Sequence, residues 1–190
     1  FIFSFSITKF FENYAYQDRI IFTEQSVYQR IIVTKFKEDI RLFLNGNLQF
    51  SSLDEYRYHE SLVHIPLSYV KQKEEILVLG GGDGLVVREL LKYPEIQHIT
   101  VVDIDPQMTK LAQTNKFFLE INERSLLNPK VTVVNEDALK FVENTQILYN
   151  AVIIDLPDPE EPSLGRLYTK EFYGRVKQRM SKDGVLVTQS

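Results

Sequence analysis

The chain has 190 residues, 44% of them hydrophobic and 25% charged, enough for one good core or for a small domain joined to a medium one. Its net charge of −4 and pI near 5.5 argue against nucleic-acid binding, which needs a basic face to neutralise phosphates. The absence of cysteine excludes disulfides, thiolate zinc sites and cysteine nucleophiles and fits a reducing compartment such as the cytoplasm. Three histidines (His59, His64 and His98) leave little for a histidine-rich metal centre, and no metal site is expected.

No stretch reaches the roughly 18 apolar residues of a membrane helix. The opening "FIFSFSITKFF" is apolar but short, and it lacks the basic start and cleavage site of a signal peptide. The chain starts at Phe1 and stops at Ser190 as a strand finishes, so both ends are expected to be truncated. Between residues 19 and 50, "RIIFTEQ", "YQRIIVTKF" and "IRLFLNGNLQF" are β-branched, aromatic-rich strands separated by polar breaks. Asn45-Gly46 is a type I′ hairpin signal, because both central residues must take positive φ. "SSLDEYRYHESLVHIPLSYV" reads as a helix capped by Ser51 or Ser52, with Leu62, Ile65 and Tyr69 at helical spacing and Pro66 interrupting the middle.

From residue 76 the rhythm changes. The strands "EILVLG", "HITVVDID", "KVTVVNED", "YNAVIIDLPDP" and "GVLVTQS" alternate with the helical stretches "LVVRELLKY", "PQMTKLAQTNKFF", "ALKFVEN" and "TKEFYGRVKQRM". Five apolar strands alternating with helices predict an α/β fold, a doubly wound parallel sheet covered on both faces. The seam with the small β part falls near residues 68–75, giving an N-terminal β domain with its linking helix over 1–70 and an α/β domain over 71–190.

In such sheets ligands bind beyond the carboxyl ends of the strands. The first of these strands is followed by Gly80, Gly81, Gly82, Asp83 and Gly84, the second by Asp103, the third by Asp137, and the fourth by Asp155 and Asp158. Any one of these aspartates reads equally well as a turn or cap residue, and Asp105 before Pro106 reads as an N-cap. Four acidic strand ends on one rim point further. Asp103 lies nineteen positions past Gly84, the spacing of an acid that accepts from ribose hydroxyls, and Asp137 at the next tip suits an adenine amino group. An acidic pocket suits a cation better than a pyrophosphate. Asp83, inside the glycine turn, therefore points to a positively charged ligand such as a sulfonium nucleoside or an amine.

The stretches "YQRIIV" (28–33), "LNGNLQFSSLDEYRYHE" (44–60), "LVLGGGDGLVVREL" (77–90), "VVDID" (101–105), "NEDAL" (135–139) and "IIDLPDP" (153–159) together resemble the spermidine synthase family of polyamine aminopropyltransferases. The resemblance implies a small N-terminal β domain followed by a Rossmann-like domain of the S-adenosylmethionine methyltransferase type, here truncated at its C-terminal end. It implies transfer of an aminopropyl group from decarboxylated S-adenosylmethionine, as co-substrate, to a diamine such as putrescine, with no other cofactor, in a homodimer. Carried over onto matching positions, Gly80, Gly82, Asp83, Gly84, Asp103 and Asp137 bind the nucleoside, with Asp83 on the aminopropyl ammonium. Asp155 is the catalytic base, Tyr58 and Asp158 position the acceptor, and Gln29 and Gln49 line the nucleoside side. Taken alone, Tyr58 and His59 read as packing residues, Gln29 and Gln49 as ordinary strand residues, and Asp158-Pro159 as a turn.

Departures from the family pattern centre on the acceptor. Leu156 and Pro157 replace a small hydroxylated pair, His59 stands where glutamine is common, and Asn45 replaces an aspartate. The "LPDP" loop resembles a subgroup whose parent proteins carry an N-terminal membrane region. Two rival readings have their own signatures. An S-adenosylmethionine methyltransferase commonly has an acid two positions before the first loop glycine, where this chain has Val78. A non-catalytic nucleoside- or polyamine-binding module would not need both Asp155 and Asp158.

Overall fold

A computed structural model describes residues 18–157 and 162–189. Residues up to Tyr56 form one unit and those from Arg57 a second. The first is an antiparallel sheet in the order β1-β2-β3-β4, with β1 at Arg19–Gln25, β2 at Arg30–Phe36, β3 at Asp39–Leu44 and β4 at Asn47–Ser51. The β3–β4 turn has the expected conformation, with φ of 50° at Asn45 and 87° at Gly46. The Asn45 Oδ1 atom also accepts from the Arg30 N–H at 2.9 Å, which ties the turn to the start of β2. Ile31, Ile32, Val33, Ile40, Leu42 and Phe50 form the buried apolar set of this unit. Asp39 is buried with them. Burial alone would raise its pKa, but the Ser51 hydroxyl at 2.7 Å and the Arg41 guanidinium at 2.6 Å hold it below the usual carboxylate value.

Ser51 and Ser52 do not cap the helix that follows. The Ser51 side chain is turned to Asp39 and Ser52 Oγ accepts from the Ile40 N–H, so the helix (α1, Glu55–Tyr69) starts later. It runs through Pro66 without ending there. The division between units falls at Tyr56 rather than near residue 70, because α1 is bonded into the second unit. His64 meets Tyr93 Oη at 2.8 Å and Glu89 at 3.0 Å, and Tyr58 meets Asp155. Buried Glu89 also receives Arg88 at 2.9 Å and Lys92 at 2.5 Å, cationic partners that keep its carboxyl below its ordinary pKa against the cost of burial.

The second unit is a parallel five-stranded sheet in the order β7-β6-β5-β8-β9. Its strands are β5 (Glu75–Gly80), β6 (His98–Val102), β7 (Val131–Val134), β8 (Tyr149–Asp155) and β9 (Met180–Thr188). The intervening helices are α2 (Leu85–Leu90), α3 (Pro106–Thr114), α4 (Lys116–Ile121), α5 (Ala138–Asn144), α6 (Pro162–Gly165) and α7 (Lys170–Gln178). The stretch expected as one helix from Pro106 breaks at Asn115, which takes an extended conformation and caps α4 by accepting from the Phe117 N–H. Strand β9 starts four residues before Gly184, its first turn bulging out of register between the Tyr149 and Ala151 pairings. The central strands are apolar on both faces: Ile76 to Leu79 and Val152 to Ile154 are fully buried. Among the described residues no helix is long and apolar enough to cross a membrane.

The chain reverses its winding between β5 and β8, so the ligand crevice of this fold opens at their carboxyl ends. Gly80 pairs in register with Asp155, and the Gly81 N–H donates to the Asp155 carbonyl at 3.2 Å. At Gly80, where φ is +85°, a Cβ would lie 1.9 Å from that carbonyl oxygen. Gly46, with φ of +87°, has open space instead. Gly80→Ala should therefore cost roughly 2–5 kcal/mol, the left-handed backbone penalty plus displacement of a central strand, while Gly46→Ala should cost only about 1–2 kcal/mol. Chemical denaturation of the two variants checks the contrast, and equal costs would contradict the close approach.

Candidate active site

Asp83, Asp103, Asp137 and Asp155 stand at or just past the ends of β5, β6, β7 and β8, and each is held differently. Asp155, at the end of β8, has Oδ1 2.5 Å from the Tyr58 hydroxyl of α1. Its Oδ2 faces the glycine turn, 3.4 Å from where a Cβ of Gly81 would stand. Burial raises the Asp155 pKa, and His59 and the Tyr58 hydrogen bond act against that rise. The Tyr58 hydroxyl is itself pushed above its ordinary pKa by burial and by Asp155, so it stays protonated.

Asp103, just past β6, is bonded through both oxygens: Oδ2 accepts from the Gly82 N–H at 3.0 Å and Oδ1 from the Asp105 N–H at 2.8 Å. Burial outweighs these donors, and the Asp103 pKa rises from 3.8 to about 6, with Asp105 and Asp83 adding to the shift. Gly82 is needed for this contact, since a Cβ there would fall 2.3 Å from Asp103 Oδ2. Asp83 Oδ1 accepts from the Leu85 N–H at 2.9 Å, the first N–H of α2, whose N-cap is Gly84. Asp137 caps α5 through the Lys140 N–H at 3.1 Å and accepts a hydrogen bond from Arg166. Asp105 caps α3 by accepting from the Gln107 N–H at 3.0 Å.

Tyr58, Asp83, Asp103 and Asp155 thus gather around one glycine turn, close enough to perturb one another's protonation. Gln29 and Gln49 belong to the first unit. The former precedes β2 in a turn bonded to Ser26, and the latter is exposed on β4 with its amide on the Asn47 carbonyl. Asp158 lies outside the described residues. Among the described residues no group of three or more His, Asp or Glu is arranged to hold a metal ion.

Several residues that support the site have no sequence signal. Asn122, fully buried, donates to the carbonyls of Asp83 at 2.9 Å and Ala112 at 3.0 Å, and Ser125 Oγ donates to the Gly84 carbonyl at 2.6 Å. Together they brace the glycine turn from behind. Tyr168 donates to the Pro157 carbonyl at 2.8 Å and steadies the loop after Asp155. His59, buried at 3% exposure, stands edge-on to Tyr58 with ring centroids 4.9 Å apart. Gln189, past β9, meets Tyr58 Oη with Oε1 at 2.5 Å and donates from Nε2 to the Leu156 carbonyl. A cleft of about 710 Å³ runs between α1 and β9 from this point, bordered by Tyr58, Leu62, Ile65, Tyr69, Val187 and Gln189.

The strand order and glycine turn define a doubly wound, methyltransferase-like α/β domain. The spermine/spermidine synthase domain matches residues 55–190, and the chain belongs to that family. It is 49% identical over 180 residues to a polyamine aminopropyltransferase of Oceanobacillus iheyensis and 50% identical over 190 residues to one of Leptospira interrogans. These matches cover 95% and 99% of this chain but only 35% and 38% of the relatives, so the chain spans less than half their length. Among solved structures, spermidine synthase in complex with the transition-state analogue AdoDATO superposes with a TM-score of 0.83 at 27% identity, covering 90% of this chain and 57% of that one. Spermidine synthase from Thermotoga maritima gives a TM-score of 0.81 at 27% identity, over 90% and 56% of the two chains.

The Tyr58 hydroxyl donates to the ionised form of Asp155 and so opposes the upward pull of burial. Its removal in Tyr58→Phe should raise the Asp155 pKa by about 1–2 units, the equivalent of one hydrogen bond to a charged group. Carbon-detected NMR titration of the aspartate carboxyls measures the shift, and an unchanged or lowered value would show that the hydroxyl does not stabilise the carboxylate.

Proposed function

We propose that this chain carries the catalytic site of a polyamine aminopropyltransferase, which moves the aminopropyl group of decarboxylated S-adenosylmethionine to a diamine such as putrescine. The observation that carries the reading is the Asp155 carboxylate, held by Tyr58 at 2.5 Å and facing the glycine turn at the switch in strand order. The family match and the names of its relatives support it. The methyltransferase alternative gives way to that family match. On the family resemblance the reading extends to a homodimer, on the absence of cysteine to the cytoplasm, and on the "LPDP" loop to a membrane region in the parent chain.

In this reading Asp103 accepts from the ribose hydroxyls and Asp137 stands on the adenine side. Gly80, Gly82 and Gly84 let the backbone approach the nucleoside, and Asp83 attracts the aminopropyl ammonium. Tyr58 and Asp158 orient the acceptor amine. The chemistry asks little else of the protein. A protonated amine has no lone pair for attack, so a carboxylate must take up a proton as the nitrogen–carbon bond forms. A raised proton affinity at Asp155 suits that task. The sulfonium leaves as a neutral thioether, and alignment of nitrogen, carbon and sulfur supplies much of the remaining rate.

Asp155→Asn keeps the shape of the site and removes the proton acceptor. Aminopropyl transfer by the full-length protein should fall about 10²–10⁴-fold, while methylthioadenosine affinity stays within a few-fold of wild type. Near wild-type kcat on every amine tested would remove Asp155 from this role.

The raised pKa of Asp103 gives the nucleoside site a pH signature. As pH falls through about 6, Asp103 takes up a proton and ceases to be a full acceptor for ribose hydroxyls. At pH 5 about one tenth of the sites remain ionised, so methylthioadenosine should bind roughly tenfold more weakly than at pH 7 to 8. Folding has the opposite dependence. Between 3.8 and about 6 the native state holds more protons at this group than the unfolded chain, so its contribution to stability decreases as pH rises through that window. Calorimetric titration and thermal melts across pH 5 to 8 separate the two effects, and pH-independent affinity would contradict the assignment of Asp103 to the ribose.

A further inference from the structure

The Tyr58 hydroxyl has one proton and lies between two oxygens that both want it. Asp155 Oδ1 is 2.5 Å away on one side and Gln189 Oε1 is 2.5 Å away on the other. The amide of Gln189 cannot resolve the conflict by turning over. Its other end meets the Leu156 carbonyl, which only accepts, so Nε2 must face Leu156 and Oε1 must face Tyr58. Leu156 is adjacent to Asp155, so the amide is anchored on the same strand end whose carboxylate competes with it.

From this geometry we infer that Gln189 is a positioning residue that draws the Tyr58 proton away from Asp155 and thereby makes Asp155 a stronger base. With Asp155 ionised, Tyr58 donates to the carboxylate and Gln189 Oε1 is left facing the lone pairs of the phenol oxygen. With Asp155 neutral, the carboxyl no longer demands that proton, and Tyr58 donates to Gln189. The chain from Tyr58 through Gln189 to the Leu156 carbonyl is complete only in the second state. Gln189 therefore favours the protonated carboxyl, the form that Asp155 reaches when it has done its work.

The inference rests on the reading of Asp155 as the base. In the transfer step the amine nitrogen bonds to the carbon beside sulfur, and the carbon–sulfur pair departs with the sulfur. The nitrogen gives one proton to Asp155, and the Tyr58 proton swings from Asp155 to Gln189. The other groups facing the pair are His59 on α1, Asp83 in the glycine turn and Tyr168 after α6. Gln189 joins the pair through its contacts with Tyr58 Oη and the Leu156 carbonyl, and the other three side chains are kept the same in every arm of a test at position 189.

The test is a double-mutant cycle on the Asp155 titration, read by carboxyl-carbon NMR in full-length protein without substrate. Gln189→Leu should lower the Asp155 pKa by about one unit, a tenfold loss of proton affinity, because Tyr58 then donates to the carboxylate unopposed. In a Tyr58→Phe background the same substitution should leave the titration unchanged, since the hydroxyl that transmits the effect is gone. With an amine acceptor, Gln189→Leu should also lower kcat a few-fold, as expected of a weaker base. If Gln189→Leu does not fold, Gln189→Met, which keeps the length of the stem and offers only a weak thioether acceptor, replaces it. A titration that is unmoved or raised in the Tyr58 protein, or a shift that persists without the hydroxyl, overturns the inference. The expected shift in Gln189→Leu, together with a wild-type protein that transfers no aminopropyl group, would support the Gln189 role while rejecting the proposed reaction.

Discussion

The site depends on one close approach. The last residue of β5 and the last residue of β8 sit side by side, and only a glycine at position 80 leaves room for the Asp155 carbonyl. That approach does two things at once. It lets the chain leave β5 in a left-handed turn, and it puts the Asp155 carboxylate against the turn's open side. The neighbouring contact at Gly82 works in the same way for Asp103, whose carboxylate occupies the space a side chain would have filled. The glycine run is therefore a set of places where carboxylates come up against backbone.

This answers why an aspartate stands inside a glycine-rich turn. Turns of this shape usually present backbone N–H groups to an anionic ligand. Here the Gly82 N–H is already taken by Asp103, the Leu85 N–H by Asp83, and the Gly81 N–H by the Asp155 carbonyl. These three donors, which would otherwise be open to a phosphate, are satisfied by the protein's own oxygens. What remains exposed to a ligand is negative, which suits a cation.

The acids around that turn are kept apart in protonation by their surroundings. Asp103 is buried with two backbone donors and titrates near 6, while Asp155 is raised by burial against the opposing pull of Tyr58 and His59. Carboxylates of one chemical type are thus suited to different tasks by environment alone. Bracing from Asn122, Ser125 and Tyr168 holds the backbone on which these differences rest.

Much of this architecture was legible in the residues themselves. Hydrophobic runs at strand length, Asn45-Gly46, Asp105-Pro106 and the glycine turn are local signals, each set by backbone sterics within a few residues. The acidic strand ends were legible for the same reason, since the length of each apolar run shows where its strand stops. The misplaced helix cap at Ser51, the break at Asn115 and the division at Tyr56 were not. Each depends on a partner distant in sequence or on competition between local options, such as the buried Asp39 that takes the Ser51 hydroxyl. The same limit applies to the site. Sequence alone determined which carboxylates stand at the strand ends. Only the tertiary structure decided that Tyr58, 97 positions from Asp155, and Gln189, 131 positions from Tyr58, share one proton, because hydrogen-bond direction is set by which acceptors folding brings within reach.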